Sequence, residues 1–463
     1  MKYRIERDIL GKVRVPADAY YGSDTQRTVN NFSISGIKEP AELILAYIML
    51  KKSAALANMK IGKLDARRGR AIVRACDDAL LHRLDGQFVV DVFQAGAGTS
   101  LNMNVNEVIA NRAIEILGGR RGNYKLVHPN DHVNMSQSTN DTMPSVVHIA
   151  TYLAIQKELL PALSMLQKSL GRKAAQFQRV VKIGRTHLQD AVPITLGQEF
   201  SGYEASVAGA TAMLKDAHSR LLAIPLGGTA VGTVLNADER YARYAVSNLN
   251  RITGAHFSIT RNRFAQMQQR LEELEVADAL KEVATAVNKI ANDLRILTSG
   301  PIGGMGEITL PAVMPGSSIM PGKINPSIAE MMNMVCLKVI GSCTTVTDAA
   351  NGGQLEINVF TPVIAYELIS SIRILSNAIA TFSERCVSGI SANAKNIARH
   401  IEMDISLATA LSPYIGYAKA SWVARTAYKE GKSVRQVCLD HRIMKKEELG
   451  RILNPRRQAL QKG

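Results

Sequence analysis

Two serines, a lysine and an asparagine sit between glycines and prolines in Gly316-Ser317-Ser318-Ile319-Met320-Pro321-Gly322-Lys323-Ile324-Asn325-Pro326. Glycine and proline interrupt helix and strand alike, so this stretch is a loop. Hinge positions near its ends would let it close over a ligand. A serine acts as a base only as its alkoxide, so something nearby must lower its pKa. Lys323 brings positive charge, and Asn325 can both donate and accept. The set suits removal of a proton beside a carboxylate, with the enolate-like dianion then held by charge and amide hydrogen bonds. A plain surface loop with one solvated lysine has the same composition.

Three further stretches carry polar groups of the right kind. Gly96-Ala97-Gly98-Thr99-Ser100-Leu101-Asn102-Met103-Asn104 places hydroxyls and amides on a glycine turn. Ser136-Gln137-Ser138-Thr139-Asn140-Asp141 is an unbroken polar run ahead of a long helix, and the free N–H groups and dipole of a helix start attract carboxylates. Gly184-Arg185-Thr186-His187-Leu188-Gln189-Asp190 also lies ahead of an expected helix. Taken singly, each has a plain reading, as a helix cap or a structural histidine.

The elements that must position these groups are helical. Leu280, Val283, Val287, Ile290, Leu294 and Leu297 are spaced three and four apart, which puts them on one face of a helix over Leu271–Leu297 that stops at Gly300-Pro301. Leu368, Ile372, Leu375 and Ile379 repeat the pattern after an expected kink at Pro362. Pro144–Arg172 and Leu196–Leu222 read as two more long helices, and another follows the serine loop, with Asn325 as its cap and Pro326 in its first turn. Five such helices with few strand signals imply an all-α bundle, with apolar seams long enough to be buried against other subunits. Residues 1–40 read as irregular. The segments expected are an N-terminal, mostly helical domain (1–138), a central helical bundle (139–390) and a small C-terminal helical domain (391–463).

The 463 residues exceed one ordinary core. The first eight residues are charged, with no secretory h-region, and the longest apolar run, near Leu43–Leu50, is too short for a membrane span. Cys76, Cys336, Cys343, Cys386 and Cys438 are scattered without a C-x-x-C pair, which argues against a zinc site or a disulfide framework and for a cytoplasmic location. The net charge of +16 is spread along the chain and aromatics are 5%, so a nucleic-acid partner is not expected.

The serine loop matches, position by position, the G-S-S-x-M-P-x-K-x-N pattern of the fumarase/aspartase superfamily, and the three polar stretches resemble its other motifs in the same order. The resemblance spans nearly the whole chain. It implies a three-domain fold whose five-helix bundle joins three others in a homotetramer with a twenty-helix core. Each site would take residues from three subunits, with no metal or organic cofactor, and the substrates would be small dicarboxylates that release fumarate. Residue by residue, Ser317 matches the general base, and Lys323 and Asn325 match ligands of the carboxylate that gathers charge. Thr186 and His187 match further substrate ligands, and Glu330 the carboxylate that pairs with that histidine. Thr99, Ser138, Thr139 and Asn140 match residues around the other carboxylate and the leaving group.

Within the superfamily, Ala97, the Ser138-Thr139-Asn140 triplet, Gly353-Gln354-Leu355-Glu356 and the tail after Glu447 resemble aspartases, which release ammonia from L-aspartate. Val127 to Asn134 resembles the fumarase version, in which His128 matches a secondary dicarboxylate site. Class II fumarate hydratase is the alternative, and a basic, non-catalytic binding protein of the same fold is a third. Three departures stand out: residues 262–276 match neither subgroup, Pro301-Ile302-Gly303-Gly304 lacks the usual arginine, and Val234 replaces a usual glycine.

Overall fold

The N-terminal residues, expected to be irregular, form regular structure in the computed structural model, which describes residues 2–460. Strands β1 (Tyr3–Asp8) and β2 (Gly11–Pro16) pair as an antiparallel hairpin, followed by helix α1 (Ser23–Asn31). The hairpin leaves little apolar pattern in the sequence because its buried apolar side chains are few; Val13 and Val15 pack with Ala19 in a small cluster. Helix α1 is weakly apolar and has no cap of its own. A carboxylate from a later helix serves instead: Glu107 accepts from the N–H groups of Gly22, Asp24 and Thr25 at 2.7, 2.9 and 3.1 Å.

Helices α2 (Ala41–Lys60), α3 (Ala66–Leu80) and α4 (Thr99–Ile116) come next. Helix α5 (Thr139–Ala154) passes through one wide turn, Ile155–Leu159, into α6 (Leu160–Gln176). Pro161 cannot donate to the preceding turn, and the wide turn absorbs that missing bond. The hairpin of β3 (Val181–Thr186) and β4 (Gln189–Thr195) leads into α7 (Leu196–Arg220). Then follow α8 (Tyr241–Thr253), α9 (Arg263–Gln268), α10 (Leu271–Leu297), α11 (Ser327–Asn351) and α12 (Thr361–Arg385). Short helices fill 394–459.

The all-α expectation holds, with strands confined to small hairpins and short pairs. Two local expectations fail. Pro362 does not kink a helix: it is the second residue of α12, where a missing N–H costs nothing. Asn325 does not cap α11; its side-chain amide donates to the Gly316 carbonyl at 2.6 Å. By length and hydropathy Thr361–Gly389 could cross a membrane. Ile364, Leu368, Ile372, Leu375, Ile379 and Phe382 are instead buried within the fold, as in the core helix of a globular protein.

The chain divides into two compact units. One comprises Met1–Leu160, Ala212–Ala284 and Leu337–Leu375; the other comprises Pro161–Thr211, Thr285–Cys336 and Ser376–Gly463. The dividing points fall within α6, α7, α10, α11 and α12, the five long helices expected from the sequence. In the first unit α2 packs against α3, α5 and α8 around a core that includes Leu43, Tyr47, Leu50 and Ile72. In the second, the hairpin β3–β4 holds a buried ion cluster. Lys182 reaches Glu199 at 3.0 Å and Glu307 at 2.9 Å, and Arg185 reaches Glu307 at 2.7 Å. The C-terminal helices enclose Val423, Val437 and Leu449.

Candidate active site

The serine loop is a flap with a fastened neck. The Gly316 N–H donates to the Lys323 carbonyl at 2.9 Å, and the Asn325 amide donates to the Gly316 carbonyl. Gly316 is required by space: a Cβ there would lie 2.4 Å from the Lys323 oxygen. Within the flap, the Ser317 Oγ accepts from the N–H groups of Ile319 and Met320 at 3.2 and 2.9 Å. Two donors on one hydroxyl oxygen favour its deprotonated form, because hydrogen bonds to the charged state lower a pKa. Ile319, Met320 and Ile324 are exposed on the flap, with Ile319 at 84%, so it presents apolar area that closure would bury. Lys323 and Asn325, with Pro326, Glu330, Asn292, Arg295 and Asn393, line a cleft of about 920 Å³.

Thr186 and His187 stand apart, at the exposed tip of β3–β4. His187 and Leu188 both have positive φ, 55° and 59°. This is the turn that tight hairpins prefer to build from Asn and Gly. Holding two ordinary side chains there costs on the order of 1–3 kcal/mol each, a strain usually kept at functional sites. His187 and Glu330 are not paired among the described residues of the single chain.

The remaining residues gather in the first unit, at two adjoining helix starts. Ala97 (φ 59°) and Gly98 (φ 80°) turn the chain into α4, with Thr99 exposed as its first residue. A side chain at Gly98 would meet Met143 of α5, with a Cβ 2.7 Å from its Sδ. The start of α5 is a capping box: the Ser138 Oγ accepts from the Asn140 N–H, and Asp141 accepts from the Ser138 N–H. Asp141 also accepts from the Gly227 N–H at 2.8 Å. Burial pushes its carboxyl up to about 6 against these donors. Asn140 donates to the Ala230 carbonyl at 2.8 Å, which leaves its side-chain oxygen to accept. Free N–H groups at helix starts of this kind attract carboxylates.

Comparison with known proteins places the chain in a family. A family profile described as lyase fits residues 11–341, and one described as fumarase C C-terminus fits 407–457. An aspartate ammonia-lyase from Bacillus sp is 45% identical over 452 residues, 98% of this chain and 96% of that protein. The chain belongs to the fumarase/aspartase superfamily. A class II fumarate hydratase from Thermosynechococcus vestitus is 46% identical over 97% of this chain and 96% of its own. Among solved structures, a class II fumarase from Schistosoma mansoni superposes with a TM-score of 0.96 at 35% identity, covering 99% of each chain. A fumarate lyase:delta crystallin from Brucella melitensis gives 0.95 at 47%, covering 99% of this chain and all of that one.

The departures from the superfamily pattern have physical correlates. Val234 adopts φ 65°, a strained conformation for a β-branched residue and the reason glycine is usual there. The divergent segment 262–276 holds a buried ion cluster. Arg270 Nη1 lies 3.2 Å from Glu273, and His148 Nε2 lies 3.4 Å from the same carboxylate. Reading the sequence alone missed Gln94. Its oxygen accepts from the Leu101 N–H in the first turn of α4, and its amide donates to Glu39. Its position two residues ahead of the glycine turn was the available signal.

Proposed function

We propose that this member of the superfamily is an aspartate ammonia-lyase, eliminating ammonia from L-aspartate to give fumarate by a reversible anti elimination. The observation that carries a lyase reading is the Ser317 hydroxyl, which receives two backbone N–H groups on a loop whose Lys323 and Asn325 line a cleft. Ser317 would take the proton beside the retained carboxylate. Lys323 and Asn325 would hold the dianion so formed, because the barrier falls when donors are already aimed where charge develops. Thr99, Ser138, Thr139 and Asn140 would bind the other carboxylate and the amino group, with the Asn140 oxygen accepting from the ammonium.

Each site would be shared by three subunits of a homotetramer, where His187 from one chain would pair with Glu330 from another. The aspartase reading over the hydratase rests on Ala97, the Ser138-Thr139-Asn140 triplet and Gly353–Glu356. Fumarate hydratase is the competing reading, favoured by the Val127–Asn134 stretch. Incubating the protein with L-aspartate or with L-malate and following fumarate absorbance separates them. Fumarate from aspartate is expected, and formation from malate alone overturns the choice.

A further inference from the structure

Lys51 lies in the middle of α2 with none of its surface exposed. Its Nζ donates to three amide oxygens: Asn102 at 2.7 Å, Asn134 at 2.9 Å and Gln137 at 2.9 Å. The Tyr47 ring lies 5.6 Å away. A lysine has donors only, so every amide that meets it must turn its oxygen inward and its NH₂ outward. The outward groups are all used. Asn102 Nδ2 donates to Thr139 Oγ1 at 2.9 Å, Asn134 Nδ2 to the Gln137 carbonyl, and Gln137 Nε2 to the carbonyls of Val133 and Met135. These bonds shape the loop that delivers Ser138, Thr139 and Asn140 to the start of α5.

We propose that Lys51 is a positioning residue of the substrate site: it sets the orientation of three amides and, through Asn102, turns the hydrogen of the Thr139 hydroxyl toward an incoming carboxylate. The inference rests on reading Thr139 as a substrate ligand. A hydroxyl whose oxygen already accepts from Asn102 has its hydrogen left to give. If Asn102 were reversed, its own oxygen would take that hydrogen and the site would lose a donor. The ammonium also places positive charge behind the start of α5, adding to the helix dipole felt by an anion.

The titratable groups that face Lys51 are Asp141 from α5 and Cys76 from α3, with Tyr47 on α2 itself. Burial lowers the Lys51 pKa to about 7, partly offset by Asp141. Burial pushes the Cys76 thiol up to about 12, so it stays neutral. The charge on Lys51 is therefore present below neutrality and lost above it, and affinity for a dianion falls as pH rises through that range.

The test is calorimetric titration of the full-length protein with succinate, an unreactive four-carbon dianion, between pH 6 and 8.5. Lys51→Met is expected to weaken binding about tenfold or more, the equivalent of losing one hydrogen bond to a charged group, and to reduce the alkaline loss of affinity to the part that ionisation of Asp141 contributes. In turnover it should raise KM more than it lowers kcat. Asn102→Asp keeps a partner for Lys51 but cannot donate to Thr139. It should weaken succinate to a similar extent, and the double variant should be little worse than either single one. Should Lys51→Met fail to fold, Asn102→Asp and the wild-type pH dependence decide the matter. Wild-type affinity in both variants, or a loss in Lys51→Met without one in Asn102→Asp, overturns the proposal. Folded wild-type protein that binds no four-carbon diacid overturns the functional reading itself.

Discussion

At the scale of single residues, the proposed lyase reading gives Ser317 and Lys323 separable tasks. A base acts mainly in the transition state, so Ser317→Ala should lower kcat by about 10²–10⁴-fold with a smaller change in KM. The two N–H groups on its Oγ remain in that variant but have no oxygen to stabilise. Steady-state rates of fumarate formation measure this, and near-normal turnover would remove Ser317 from its role. In that reading Lys323 would bind charge in both the ground state and the transition state, so Lys323→Ala should raise KM as well as lower kcat. An unchanged KM counts against it. The loop itself was legible in the sequence because its glycines and prolines share one short stretch. Lys51 was not. Two lysines, Lys51 and Lys52, stand side by side in an apolar helix, and only packing tells which is buried: Lys51 is fully so, while Lys52 reaches Asp77 near the surface.

At the scale of elements, long apolar periodicity was a reliable guide and short polar elements were not. Helix α10 runs from Leu271 to Leu297, as its spacing of three and four demands. The first hairpin and α1 are held instead by Arg4, Glu6 and Glu107, long-range polar contacts that leave no local pattern. The segment from α9 into α10 makes a testable case of the same kind. Arg270 and Glu273 are both buried, so Arg270→Ala leaves the buried carboxylate with His148 alone and should cost about 3–5 kcal/mol, read as a fall in Tm. The pH dependence follows from the same cluster. Burial pushes Glu273 up, but Arg270 and His148 outweigh it and hold its carboxyl down to about 2. The stability it contributes is present above the ordinary carboxylate range and lost as pH falls toward that value. Burial pushes His148 down, but Glu273 outweighs it, so its pKa is raised. That contribution is present below the ordinary histidine range and lost as pH rises through the raised value. Wild-type Tm should therefore fall on both sides of a mildly acidic plateau, and Arg270→Ala should flatten the acid limb. An Arg270→Ala protein with unchanged Tm would show that the cluster is not a stabilising element.

At the scale of the whole molecule, the chain carries its candidate site in pieces. Ser317, Lys323, Asn325 and Glu330 belong to one compact unit, Thr99 and Ser138–Asn140 to the other, and the His187 tip is exposed. If each site draws these pieces from different subunits, two inactive variants can repair one another. Ser317→Ala removes the base and Thr139→Val removes a substrate ligand, and each alone should be nearly inert. Co-expressed with different tags and purified through both, they should assemble mixed tetramers. In random assembly about one site in four then takes both its serine and its threonine from intact chains. Activity approaching a quarter of wild type is expected. The two homotetramers mixed without dissociation should stay inactive, which controls for residual activity in either variant. If the doubly tagged protein is tetrameric yet no more active than its parents, both groups come from the same chain, and the shared-site arrangement is wrong even if every residue assignment is right.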